Sequence, residues 1–349
     1  MTGPVPRDGA DAARPEGHVI GLDVGGTGAR GLLADATGAV LAQARRERGG
    51  PPADGAERGG GAAAGEAGAV DLLVRLIGEL RDAAGVRRVD AVVLGSTGVS
   101  GLGGAPRETL PALLGRAAGA AAVLFVSDAL SSFVGALGLR AGAVVAAGTG
   151  AVAVGTDGRG AWRKADGWGH LLGDDGSGAW IGRAGLAAAL RHRDGRPGGS
   201  AALLAALTRR FGGPAELVAR LYTRPDRASL LARFVPDVAA AAAEGDPVAG
   251  GILDRAGALL AETAVAALPP AAPRAVSYAG NLIPSVPRLH EAFSRRLAES
   301  GVTETAPAGT AAEGAVRLAT ALRRGALPPG LPDSGLVLGE WHDEPDSGR

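Results

Sequence analysis

Apolar runs and glycine breaks alternate along the chain from residue 18. Val19-Ile20-Gly21-Leu22-Asp23-Val24 reads as a strand, 25–28 as a tight glycine turn, and 29–34 and 39–44 as two returning strands. Apolar residues Val70, Leu73, Val74, Ile77 and Leu80 then recur at helical spacing. A buried strand at 91–94, a helix at 109–118 and a strand at 123–126 follow. The theme restarts with a strand at 143–147, the turn Gly148-Thr149-Gly150 and a returning strand at 151–155. Beyond residue 178 the pattern is mostly helical: 179–192, 201–210, 215–222, 230–243 and 247–268. A short strand at 276–279 precedes helices at 287–300 and 311–324.

Strands alternating with helices predict an α/β protein. Two halves that each open on a hairpin predict a duplicated domain with a cleft between the copies. Residues 1–17 read as a disordered tail, 49–68 as a Gly/Ala/Pro-rich linker, and 328–349 as a loose tail.

Composition narrows the function. Basic and acidic residues balance at 36 each over 349 residues, which argues against a nucleic-acid partner. Cysteine is absent, so disulfides, iron–sulfur clusters, thiolate zinc sites and a cysteine nucleophile are excluded. No apolar run is long enough for a membrane span and no signal core is present, so a cytoplasmic protein is expected. Lys164 is the single lysine among 36 basic residues, a usage read as compositional bias. The 59 glycines set a high background, so an isolated Gly-x-Gly carries no information.

Order and neighbours do carry information. Asp23 ends a strand and runs into Gly25-Gly26-Thr27-Gly28, where backbone amides can cradle phosphate oxygens and the carboxylate can hold Mg²⁺. Asp128 follows a buried strand directly, where α/β ligands bind and a kinase needs a base for its acceptor hydroxyl; the plain alternative is a helix cap. Gly148-Thr149-Gly150 repeats the first turn. The segment 165–178, Ala-Asp-Gly-Trp-Gly-His-Leu-Leu-Gly-Asp-Asp-Gly-Ser-Gly, is the most specific: acids and an aromatic suit a sugar ring. Ser277-Tyr278-Ala279-Gly280-Asn281 ends a strand on a residue over which a base could slide.

In order, these elements resemble the N-acetylglucosamine kinase branch of the BadF/BadG/BcrA/BcrD ATPase family, within the sugar kinase/Hsp70/actin superfamily. Gly21–Thr27, Ser127-Asp128-Ala129, Gly148-Thr149-Gly150 and Gly167-Trp168-Gly169-His170 with Gly173-Asp174-Asp175-Gly176-Ser177 carry the resemblance. It implies a two-domain actin-like (ribonuclease H-like) fold, with 18–127 and 128–310 as the domains and the helix 311–325 packed back on the first. It implies ATP and Mg²⁺ in the cleft, with Asp23 at the metal. Asp128 would activate the 6-hydroxyl of an amino sugar. Gly25, Gly26, Thr27, Gly148, Thr149, Gly150 and Gly280 would hold the nucleotide. Thr97, Asp128, Gly167, Trp168, Gly169 and Asp174 would hold the sugar. A homodimer is also implied. Where relatives carry a sugar-binding Asn, residues 49–68 have none. The acceptor therefore stays open among N-acetylglucosamine, glucosamine, N-acetylmannosamine, N-acetylmuramic acid and glucose. A non-catalytic sugar sensor on the same fold is the second reading. A dehydratase activator of the same family would need the missing cysteines.

Overall fold

The computed structural model describes residues 17–25, 28–47, 62–96 and 109–343. The first half runs β1 (His18–Gly25), β2 (Gly28–Asp35), β3 (Val40–Glu47), α1 (Ala62–Ala84), β4 (Val89–Ser96), α2 (Leu110–Ala118) and β5 (Ala120–Ser127). The second opens with α3 (Asp128–Leu137), β6 (Gly142–Ala147), β7 (Ala151–Thr156) and β8 (Trp162–Asp166). Helices α4 (Gly178–Arg193), α5 (Ala201–Phe211), α6 (Pro214–Thr223), α7 (Arg227–Ala232), α8 (Val235–Ala243) and α9 (Pro247–Ala266) follow. The chain closes with β9 (Ala275–Ala279), α10 (Leu282–Ser285), α11 (Pro287–Glu299), β10 (Thr303–Glu304), α12 (Ala311–Arg323) and β11 (Val337–His342).

The strands form two sheets, ordered β11-β5-β4-β1-β2-β3 and β10-β9-β6-β7-β8. Without β11 the two orders are the same. Each is an antiparallel meander of three strands whose first member also pairs in parallel with the fourth. The expected α/β, two-domain actin-like architecture is the one the chain adopts.

Strand alternation places three cores. In β1, Ile20, Leu22 and Val24 face α1 and α2. Val19 faces the other way, into a layer shared with Val144 and Val154 of the second sheet and with α3 and α12. Ala143, Val145 and Ala147 of β6 face the helices of the second half. The middle layer is packed backbone to backbone. A Cβ on Gly314 of α12 would overlap the Ser131 carbonyl of α3, so glycine allows that crossing.

Four expectations need correction. Residues 62–68, placed in the linker, are the first turns of α1, where Ala62, Ala63, Ala64, Glu66 and Ala67 favour helix; 48–61 lie outside the described residues. The loose tail contains β11, which pairs antiparallel with β5 and lays Trp341 against Gly115 of α2. The single helix 230–243 is two, α7 and α8, because Pro236 is tolerated only in a first helical turn. Helix α3 follows Ser127, as the capping alternative implied, whereas strand β8 forms where no strand was foreseen. No helix among the described residues is long and apolar enough to cross a membrane.

Candidate functional site

The parallel strands β1, β4 and β5 bring their C-terminal ends to one level. Asp23 lies opposite Gly95, and Ser96 opposite Ser127. Alternation turns Asp23 to the same side as Val19, toward the layer between the sheets. There it meets the start of α3. Ser127 caps that helix, its hydroxyl accepting the Ala129 N–H at 3.2 Å, so Asp128 occupies the first turn rather than the cap. The cap role is thus filled by Ser127, and the Asp128 carboxylate is left for other work. Close seating of α3 on β4 requires Gly95, whose Cβ would overlap the Ser131 hydroxyl.

Both carboxylates are half-buried and under-compensated. Asp23 is pushed up to about 6, first by burial and then by repulsion from Asp128, against the pull of Arg30 on the next strand. Burial also raises Asp128, while the α3 amides and Lys164 act to lower it. Two like charges sharing one niche titrate as a pair, and the carboxylate that ionises second carries the repulsion. Such a pair fits a divalent cation that keeps most of its waters and needs one or two protein oxygens. Among the described residues no cluster of three or more His, Cys, Asp or Glu stands ready for a fully protein-ligated metal.

The second half supplies the opposite chemistry. The turn 148–150 joins β6 to β7. Its carbonyls are taken by the start of α4: Gly178 N–H donates to Gly148 O at 2.8 Å and Ala179 N–H to Thr149 O at 3.0 Å. The Thr149 and Gly150 amides have no such partner among the described residues. A helix start thus pins the turn while leaving the Thr149 and Gly150 N–H groups without a partner among the described residues, an arrangement suited to phosphate oxygens. Gly280, at φ +85°, lies against the end of β6; a Cβ there would overlap the Ala147 carbonyl. Ala279 pairs with Ala146, which holds Gly280 beside the turn.

The 165–178 segment is a clasp built on two acids with left-handed backbone, Asp166 at φ 60° and Asp174 at φ 55°. Asp166 accepts the Asp174 N–H at 2.8 Å and the Asp175 N–H at 2.9 Å. Asp174 accepts the Gly169 N–H at 3.2 Å. Its carboxylate also faces Gly150, where a Cβ would lie 2.7 Å from Oδ2, so a larger residue there would have to displace that carboxylate. Asp174 is only 9% exposed, and burial raises it. Trp168 stands out from the loop, 73% exposed, with the Lys164 ammonium 5.7 Å from its ring centroid.

The contacts therefore run without a break from Gly280 to Ala147, the 148–150 turn, Asp174 and Gly169. Lys164, beside Gly167 and Trp168, links this side electrostatically to Asp128 and so to Asp23. Gly25 closes β1 opposite Gly28 with open space where its Cβ would be. Gly26, Thr27 and Thr97 lie outside the described residues. Asp166 and Lys164 belong to this cluster, although the sequence reading gave neither of them a role of its own. An acid directly before glycine, eight positions before Asp174, was the readable sign of the first. The second stood out only by its type.

A family model described as the BadF/BadG/BcrA/BcrD ATPase family matches residues 20–319. No curated protein sequence matches the chain. Among solved structures, a provisionally named N-acetylglucosamine kinase from Chromobacterium violaceum is 26% identical, with TM-score 0.62, covering 86% of this chain and 98% of its own. A second such kinase, from Porphyromonas gingivalis, is 18% identical with TM-score 0.62, covering 89% and 100%. A ROK family glucokinase from Streptomyces griseus, in complex with glucose and AMPPNP, is 20% identical with TM-score 0.55, covering 88% and 100%. The last two similarities speak for the fold alone. With its model matched over most of the sequence, the chain belongs to the BadF/BadG/BcrA/BcrD ATPase family.

Proposed function

We propose that the protein is a sugar kinase that transfers the γ-phosphoryl group of ATP to the 6-hydroxyl of an amino sugar, with N-acetylglucosamine the best-supported acceptor. The observation that carries this reading is the meeting of opposites. The carboxylates Asp23 and Asp128 sit at one set of strand ends, and a pinned turn with two unpartnered amides at the other. The Chromobacterium neighbour adds the acceptor class.

In this reading the amides of Thr149 and Gly150 hold phosphate oxygens, and Gly280 leaves room for the base. The 166–175 clasp presents Gly167, Trp168, Gly169 and Asp174 to the sugar. Asp128 accepts the proton of the 6-hydroxyl as its oxygen bonds to phosphorus; its burial makes it a stronger base than a solvated carboxylate. Mg²⁺ beside Asp23 would supply charge neutralisation for the nucleotide phosphates.

The test is ADP formation over N-acetylglucosamine, glucosamine, N-acetylmannosamine, N-acetylmuramic acid and glucose, with the product read by ³¹P NMR. Stimulation by N-acetylglucosamine and a 6-phosphomonoester signal are expected. Silence across all five would overturn the kinase reading in favour of a sugar-binding regulator.

A further inference from the structure

We propose that Lys164 is the cation that meets the phosphoryl group in transit on the acceptor side of the cleft. The inference rests on the kinase reading and assigns one further residue to it. Lys164 lies on β8 opposite Val154, and Asp166 opposite Val152, so both face the layer between the sheets. The stem of Lys164 runs along Gly167: a Cβ on that glycine would sit 3.3 Å from Lys164 Cε. Its ammonium rests 5.7 Å from the Trp168 centroid. Among the described residues no carboxylate lies within 4 Å of that ammonium, although its charge is felt at Asp128.

Charge makes the need for such a group concrete. A phosphoryl group arriving at a hydroxyl beside Asp128 approaches two carboxylates, Asp23 and Asp128. On the Asp23 side the cross-strand neighbour Arg30 offsets this. On the Asp128 side the cation is Lys164. Residue type points the same way. Lysine occurs once among 36 basic residues, so the chain's default surface cation is arginine, and this position departs from it. An ammonium on a flexible stem is a compact point charge that can follow a moving group, where a guanidinium prefers a fixed planar partner. A cation–π seat on Trp168 holds it near the acceptor between turnovers. In the transfer, the sugar oxygen–phosphorus bond forms and the bond to the bridging oxygen of ATP breaks. That electron pair leaves on ADP, and the hydroxyl proton passes to Asp128. Lys164 stays protonated and stabilises charge throughout.

Two measurements test this. In steady-state kinetics, Lys164→Met should lower kcat about ten- to a hundredfold, with KM for ATP and sugar within about threefold, and Lys164→Arg should restore part of the rate. Full kcat in Lys164→Met, or a change confined to the sugar KM, overturns the assignment. The second readout needs no turnover. Reductive methylation with ¹³C-formaldehyde keeps the charge and labels one side chain besides the N-terminal amine; Lys164→Arg identifies its signal. That signal should move further with N-acetylglucosamine 6-phosphate than with N-acetylglucosamine alone. Indifference to the phosphorylated sugar overturns the proposal. If the wild-type protein forms no ADP with any sugar, the kinase reading falls. An active wild type with an indifferent Lys164→Met removes only Lys164.

Discussion

The two halves of the molecule share one strand order and divide the chemistry between them. In the first, the parallel strand ends carry Asp23 and lead into Asp128, two buried-side acids whose repulsion is incompletely offset. In the second, the end of β6, the strand equivalent to β1, carries no acid. Ala146 and Ala147 lead into a turn whose Gly148 and Thr149 carbonyls are occupied by α4 and whose Thr149 and Gly150 amides have no partner among the described residues. The scaffold fixes where strand ends lie, and the residues placed there decide whether a half repels or attracts anions. An acid-rich half suits a metal ion and a proton acceptor; an amide-rich half suits phosphate oxygens.

Breaking the acidic half should have the largest effect. Asp128→Asn keeps the size and removes the carboxylate proposed as the base, so turnover should fall on the order of 10³-fold, about 4 kcal/mol in the barrier. Sugar binding measured by calorimetry should stay within severalfold. Near-normal turnover would refute Asp128 as the base. Breaking the amide half comes next. Gly280→Ala must place a Cβ onto the Ala147 carbonyl at a left-handed φ, and should cost about 3 kcal/mol in urea unfolding. A loss under about 1 kcal/mol would show that the turn is free to shift. The smallest effect sharpens the contrast. The folded pKa of Asp23, about 6, lies above the ordinary 3.8, so its ionised form opposes folding. That cost is fully present above about pH 6 and fades as pH falls toward 3.8. Asp23→Asn should therefore stabilise the ligand-free protein by about 1–2 kcal/mol at pH 8 and by almost nothing at pH 4. Equal effects at both pH values would remove the charge explanation.

Much of this contrast was legible before any coordinates. Asp23, Asp128 and the two turns stand where a strand gives way to glycine or to a polar pair, and period-two alternation marks that boundary. The rest was hidden for physical reasons. Helix α3 is buried along nearly its whole length, so Ala129–Leu137 shows no polar face to reveal its period. Strand β8, Trp162-Arg163-Lys164-Ala165-Asp166, is an edge strand with little apolar content, and only pairing with β7 defines it. That omission also concealed Lys164, whose direction follows from the register. The Asp166–Asp174 clasp depends on backbone angles, which residue type permits without announcing.

The glycine-mediated crossing of α3 and α12 has a mechanical corollary. One helix begins where the chain leaves the first sheet, and the other comes after the last strand of the second. Their backbones touch at Gly314 and Ser131, with no side chain to act as a spacer. Drawing the sheets straight apart would shear that contact, whereas pivoting about it leaves the contact intact. A contact this close therefore resists a straight separation of the two sheets more than it resists a rotation about the crossing.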